Sequence, residues 1–274
     1  MNSNQDTPQF QVLERRLPRR RRRASLWTWL FLLLLVSLVI LGVVNLAILG
    51  VKAVSRPGKP VSGDLIYATT FDGPNPEWDQ RTQGQDRYEI TNHMLRLTID
   101  KGAFSPLDLP LTDFDLRINA LRIAQDDDSN EMGVLFHLQD AQHYYMFRIR
   151  GDGAYRVELC QDCVGNPVNV LSEWQKSPAI LAGVNQTNTL RIVVKGDQFQ
   201  FYVNDQLLLL CPKGSDRRST WTGLDTGQCL SNGGKTVDTL VDSTLSDGKI
   251  GLGVTTDSTE VQIGFTNMLI YGPQ

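Results

Sequence analysis

From Leu26 to Val51 the chain runs for 26 residues without a charged side chain (LWTWLFLLLLVSLVILGVVNLAILGV), and its polar members are only Thr28, Ser37 and Asn45. A helix needs about 20 apolar residues to cross roughly 30 Å of hydrocarbon, so this stretch is long enough to span a bilayer. A buried helix of a soluble domain would keep a polar face, and this one is apolar all round. Five arginines, Arg19 to Arg23, stand just before it, and Trp27 and Trp29 occupy its first turn. Arginines hold their end of a membrane helix in the cytoplasm, and indoles favour the interfacial belt. The pattern predicts a single-pass signal-anchor in the plasma membrane, N-terminus cytoplasmic and C-terminal domain extracytoplasmic. The competing reading is a cleaved export signal, whose apolar core is about 7–15 residues and ends in a small-x-small site. Val51-Lys52-Ala53 is a poor version of such a site, and the apolar run is too long.

Charge divides the chain at the same place. Residues 1–63 carry ten Lys and Arg against two Asp and Glu, a net +8; the remaining 211 residues carry 17 against 28, a net −11. An acidic outer part argues against a nucleic-acid partner, because such binding rests on neutralising phosphates. Residues 1–25 read as a basic, disordered cytoplasmic tail. Residues 52–63 (KAVSRPGKPVSG) lack core residues and read as a linker. Residues 64–274 have the composition of one folded domain.

Within that domain the hydrophobic period is two. Met94-Leu95-Arg96-Leu97-Thr98-Ile99, Phe114 to Ala120, Met132 to Leu138, Tyr144 to Arg150, Ala154 to Leu159, Thr189 to Lys195 and Gln198 to Val203 all alternate. Alternation over runs of this length predicts half-buried strands. Asn92-His93, Gly151-Asp152-Gly153, Gly196-Asp197 and Asn204-Asp205 have the chemistry of tight hairpin turns. Many short strands with almost no helical period predict an all-β, two-sheet antiparallel sandwich or barrel. Residues 212–246, rich in Gly, Ser, Thr and Asp, break the rhythm and read as an insertion.

All four cysteines lie in this outer domain. An even number in an exported domain reads first as disulfides, with Cys160–Cys163 and Cys211–Cys229 as the favoured pairs. Cross-pairing, or half of a zinc site or a redox pair at Cys160-Gln-Asp-Cys163, stays open.

The order of motifs resembles the concanavalin A-like (LamG-like) jelly-roll superfamily, in particular its bacterial 3-keto-disaccharide hydrolase type. The matching pieces are Phe71-Asp72-Gly73 with Trp78, Asn92 with Met94-Leu95, Asp113-Phe114-Asp115-Leu116, Gly133-Val134-Leu135-Phe136 and Tyr144-Tyr145-Met146-Phe147-Arg148. Gly151-Asp152-Gly153-Ala154-Tyr155, Phe201-Tyr202-Val203-Asn204, Gly248-Lys249-Ile250-Gly251-Leu252 and Phe265-Thr266-Asn267-Met268 follow. The resemblance covers about residues 64–272. It implies a jelly-roll of two curved sheets, often with sugar at the concave face. These pieces fix turns and core rather than an activity.

Alternation assigns Val134, Phe136, Leu138, Tyr145, Phe147, Ile149, Tyr155, Val157 and Leu159 to the core. It gathers Arg117, Asn119, His137, Tyr144, Arg148, Arg150, Arg156 and Glu158 on the opposite side. If the strands are neighbours, that side is a polar sheet face whose planar donors and Tyr144 suit a sugar. The plainer reading is a solvated face with cross-strand ion pairs such as Arg148 with Glu158. Hydrolysis would need two carboxylates about 5–9.5 Å apart, for which Glu131 and Glu158 are candidates with His137 beside them. The E-x-D-x-x-E motif of the laminarinase-type glucanases is absent, as are the G-x-S-x-G, Walker and H-E-x-x-H motifs. Asp126, Asp128 and Asn130 offer oxygens for Ca²⁺ in an acidic loop that has no EF-hand glycine; no other cofactor is expected. The sequence therefore predicts a membrane-anchored binder of a glycan or cell-surface polymer. A glycoside hydrolase, or an envelope module meeting a protein partner through residues 212–246, are the alternatives.

Overall fold

Short turns between alternating runs set the architecture. The computed structural model describes residues 63–124, 129–163, 167–212, 229, 234–256 and 260–273. Among these residues no helix is long and apolar enough to cross a membrane. The predicted tail, spanning segment and linker, apart from Gly63, lie outside the described residues.

Among the described residues, two antiparallel sheets hold every strand. The larger contains β1 (Leu65–Thr69), β2 (Thr82–Gln83), β3 (Asp86–Thr91), β4 (Met94–Ile99), β6 (Phe114–Ala124), β11 (Thr187–Lys195), β12 (Gln198–Val203), β13 (Gln206–Leu207), β14 (Leu240–Val241) and β16 (Val261–Tyr271). Its order is β13-β12-β11-β6-β16-β4-β3-β2, with β1 on β16 and β14 on β12. The smaller contains β5 (Gly102–Leu111), β7 (Glu131–Asp140), β8 (His143–Arg150), β9 (Ala154–Gln161), β10 (Asn169–Lys176) and β15 (Gly248–Thr255), in the order β10-β9-β8-β7-β15-β5. This is a two-sheet antiparallel jelly-roll sandwich.

The hairpins follow their turn residues. Asn92 and His93 both take positive φ (51° and 60°), as do Asn204 and Asp205 (49° and 63°). Such turns match the twist of the strands they join. The strands β5 and β10 escape the alternation rule. The first carries Pro106 and Pro110 and forms the edge of its sheet, where a residue without an N–H is tolerated. The second pairs with β9 through two register shifts, which scramble its period.

Inward-facing side chains of both sheets make the core. Phe136 stacks on Tyr145 (centroids 5.1 Å, planes 20° apart) and meets Phe199 edge-on at 5.3 Å; Phe147 packs against Phe201 at 4.9 Å. Offset and edge-to-face pairs of this kind add to plain area burial. Both expected disulfides form, Cys160–Cys163 and Cys211–Cys229, and the described residues contain no free cysteine. Part of the 212–246 insertion joins the sheets through β14 and a Leu210–Val237 bridge.

One residue breaks the parity of β7. The register of β7 with β8 shifts between Phe136 and Asp140, and its register with β15 shifts opposite Lys249 and Gly251. His137 takes positive φ (47°) at that place. Opposite it stands Gly248 (φ 153°), where a Cβ would lie 2.4 Å from the His137 carbonyl carbon, so only glycine fits. A bulge shifts the strand by one residue and exchanges its two faces. His137 therefore turns into the core, fully buried, and Leu138 turns out to join Leu135 and Met146. Both expectations from strict alternation are corrected here.

Inside, the His137 ring meets Phe114, Phe136, Tyr145 and Phe199 at 5.8–6.2 Å between centroids. Its Nδ1 lies 2.9 Å from the Leu245 carbonyl oxygen and its Nε2 2.8 Å from that of Thr112. It ties the β5–β6 turn to the segment entering β15. His137→Phe strands both carbonyls and is expected to cost about 2–4 kcal/mol, read as a lowered urea midpoint at unchanged m; an unchanged midpoint contradicts this role.

Burial pushes the phenols of Tyr145 and Tyr155 up, aided for Tyr145 by its hydrogen bond to Asp242. A folded value above the unfolded value of about 10 means that the stability they contribute is present below that pH. It is lost as pH rises past it. Burial and a hydrogen bond to Glu77 push the Tyr67 phenol up as well, so three tyrosines are expected to ionise only with alkaline unfolding in an absorbance titration; smooth ionisation of every tyrosine near pH 10 contradicts this.

Candidate functional site

The outer face of the six-stranded sheet carries two different surfaces. Register places Glu131, Gly133 and Leu135 of β7 on this face, with Tyr144, Met146, Arg148 and Arg150 of β8 and Arg156, Glu158 and Cys160 of β9. Their neighbours Val134, Phe136, Tyr145, Phe147, Val157 and Leu159 point into the core.

Toward β9 and β10 the face is an ion-pair ladder. Arg148 donates from Nη1 to Glu131 and pairs through Nη2 with Glu158; Arg156 pairs with the other oxygen of Glu158. The ladder is nearly closed to water, since Arg148 is 8% exposed and Glu158 2%. The guanidinium carbons of Arg150 and Arg156 each stand 5.1 Å from the centroid of the Trp174 ring. Such stacking offsets part of the cost of desolvating a guanidinium. Arg150 and Lys176 also face Asp152 at 3.6 and 3.9 Å. The cross-strand ion pairing expected as the plainer reading is present.

Toward β15 and β5 the same face opens into a cleft of about 660 Å³. Leu135, Met146 and Gly253 form its floor, Phe104 and Tyr144 one wall, and Arg81, Asp86 and Tyr88 of the β2–β3 hairpin the other. A Cβ on Gly253 would come within 2.6 Å of the Leu135 Cδ1, so a larger residue there would displace the Leu135 side chain of the floor. Phe104 and Tyr144 are half-buried and tilted, with centroids 6.2 Å apart. Burial raises the Tyr144 phenol, and the charge of Arg148 opposes it. Arg81 lies over the Tyr88 ring at 4.8 Å and pairs with Asp79 at 3.0 Å. An apolar floor, two aromatic rings and a few planar polar groups at the rim suit a flat ligand with one polar edge.

The residues expected to share one face divide into three places. Tyr144, Arg148, Arg156, Glu131 and Glu158 do share it. His137 lies in the core. Arg117 and Asn119 lie on β6, in the other sheet. There Asn119 accepts from Thr189 at 2.8 Å, and Arg117 stands 3.9 Å from Asp115, whose oxygens Arg191 already takes at 2.6 and 2.8 Å. Alternation gives the parity of a residue but not the sheet its strand joins. Of the calcium candidates, Asp126 and Asp128 lie outside the described residues. Asn130 is buried, and neither side-chain amide atom has a hydrogen-bond partner among the described residues. Among the described residues no group of three or more His, Cys, Asp or Glu is placed to hold a metal ion. Phe104, Met146, Gly253 and Arg81 are not singled out as site residues by alternation or motif, because the cleft forms only where β5, β15 and the β2–β3 hairpin meet β7 and β8.

No family model matches the chain, and no curated protein matches it. Solved structures do. The carbohydrate recognition domain of Emp46p superposes with a TM-score of 0.51 at 7% identity, covering 78% of this chain and 100% of that one. A Bacillus subtilis protein of unknown function with a galectin-like fold gives 0.50 at 11%, with the same coverage. The laminarinase catalytic domain of Thermotoga maritima gives 0.50 at 9%, again over 78% and 100%. The chain thus has the jelly-roll fold of carbohydrate-binding and glycosyl-hydrolase domains, and the narrower 3-keto-disaccharide hydrolase resemblance finds no support beyond that fold.

Removing Arg148 leaves Glu131 and Glu158 facing each other across a nearly dry sheet. Arg148→Met is expected to cost about 3–5 kcal/mol, and the triple variant with Glu131→Gln and Glu158→Gln to recover much of it. A loss of stability that the triple variant does not relieve, measured by chemical denaturation, contradicts the ladder.

Proposed function

We propose that this is a membrane-anchored, extracytoplasmic carbohydrate-recognition domain that binds a glycan in the Phe104–Tyr144 cleft. The observation that carries the reading is the juxtaposition in that cleft. Two half-buried aromatic rings stand over an apolar floor, and Arg81 and Asp86 offer a donor and an acceptor at the rim. The C–H face of a pyranose packs on an aromatic ring, while its hydroxyls need planar polar partners at the edge. The ladder beside the cleft has its charges matched internally, which favours a neutral sugar over an acidic one. The fold shared with a carbohydrate recognition domain supports the reading. The uncharged run of residues 26–51 supports the anchor, with the N-terminus inside.

Glycoside hydrolysis is the second reading. It is favoured by one observation: the carboxylates of Glu131 and Glu158 share the face of the cleft and converge on Arg148. The fold shared with a laminarinase catalytic domain points the same way. In this reading Glu131→Gln or Glu158→Gln abolishes the release of reducing sugar from a β-glucan, while retaining its binding.

The test of recognition is a glycan array followed by calorimetry on the full-length protein. Tyr144→Ala is expected to weaken binding at least about tenfold, roughly 1.4 kcal/mol. Tyr144→Phe keeps the ring and most of the affinity, and Arg117→Ala on the other sheet changes nothing. Equal binding by Tyr144→Ala and the parent, or a blank array from folded protein, contradicts the proposal.

A further inference from the structure

The two disulfides sit in different surroundings. Cys211 is fully buried and Cys229 is 8% exposed. Cys160 is likewise buried, but its partner Cys163 is half-buried and reaches solvent. Thiol–disulfide exchange needs an attacking thiolate to reach one sulfur, so access separates labile bridges from inert ones. The accessible bridge also touches the cleft. Cys160 is the register partner of Tyr144 on the neighbouring strand, and the Tyr144 hydroxyl lies 3.9 Å from the Cys163 sulfur. The four-residue ring that it closes is held down by the Asp162 amide, which donates to the Gln142 carbonyl at 3.0 Å. His143, next to Tyr144, faces Asp140 at the end of β7 at 2.9 Å and Asp162 in this loop at 3.5 Å. The disulfide thus stands behind Tyr144 on the side away from Phe104.

We propose that Cys160–Cys163 is a reducible bridge that positions Tyr144, so that the thiol–disulfide state of this pair sets the shape of the cleft, while Cys211–Cys229 stays oxidised. The reductant is a dithiol. One of its thiolates attacks the accessible Cys163 sulfur, forming a mixed disulfide and expelling the Cys160 sulfur as a thiolate, which takes up a proton. The second dithiol sulfur then closes on the first, and Cys163 leaves as the second thiol. Two electrons pass from the dithiol, which becomes a disulfide, to the protein, which gains two thiols. With the ring open, the loop after β9 no longer backs the Tyr144 hydroxyl, and the ring leaves its place opposite Phe104. Any effect on ligand affinity rests on the reading of the cleft as the glycan site; the reduction and the movement of Tyr144 do not.

The experiment uses the folded full-length chain with graded dithiothreitol, alkylation and mass mapping. Cys160 and Cys163 are expected to be alkylated at least about tenfold faster than Cys211 and Cys229, as access to the sulfur dictates. In parallel, Tyr144→3-fluorotyrosine reports the ring by fluorine resonance. Its signal is expected to shift and broaden on reduction, and the double variant Cys160→Ser with Cys163→Ser to reproduce the shift without reductant. Equal or earlier reduction of Cys211–Cys229, or an unmoved fluorine signal in both the reduced and the double-variant protein, overturns the proposal. A panel of neutral oligosaccharides added to both redox forms separates the two readings. Binding that falls about tenfold on reduction supports both. Binding to neither form removes the glycan reading and leaves the bridge to the first two measurements.

Discussion

Strand alternation tolerates no extra residue, and the bulge at His137 decides which side chains of β7 reach the core and which reach the cleft. β7 lies inside the six-stranded sheet, between β8 and β15. Without the bulge Leu138 would point inward, and Leu135 and Met146 of the floor would lose the neighbour they pack against. Gly248 admits the bulge, because any larger residue would strike the His137 backbone. The ring of His137 then holds it, between two carbonyl oxygens from distant segments. The residue that best resembled a surface acid–base group in the sequence is thus a tie-bar of the core.

Local chemistry is legible in the sequence, and placement that depends on distant strands is not. Hairpins closed by Asn92-His93, Gly151-Asp152-Gly153, Gly196-Asp197 and Asn204-Asp205 are local chemistry, and they form where local chemistry places them. Core parity on β8 and β9 is also local, and Tyr145, Phe147, Tyr155 and Val157 lie inside. Three things are not local. β5 hides behind its prolines because only its place at a sheet edge makes them acceptable. Arg117 and Asn119 have the right parity for the polar face, but β6 joins the other sheet. Leu138 has the wrong parity because a bulge depends on the partner strand. The cleft inherits these failures. Of its walls, Tyr144 was legible, whereas Phe104 and Arg81 enter only once β5 and the β2–β3 hairpin are placed.

Electrostatics narrows what the face can do. Arg148 and Arg156 pair with Glu131 and Glu158, so this part of the sheet has little net charge to offer a ligand. A buried network of this kind contributes specificity of packing more readily than stability, since the desolvation of each charge consumes most of the attraction. What remains open to a ligand is the neighbouring cleft, where aromatic surface and a few rim polar groups replace ionic pairing. The disulfide behind Tyr144 extends this division, with a covalent brace on β9, beside the strand that joins ladder and cleft.

The most direct test of recognition at this cleft is amide and methyl chemical-shift mapping of the full-length protein titrated with a panel of neutral oligosaccharides. The account predicts saturable shifts centred on Phe104, Leu135, Tyr144, Met146 and Gly253, with Arg117 and Asn119 unmoved. Shifts centred on the outer face of the ten-stranded sheet, or none at saturating sugar, would contradict it.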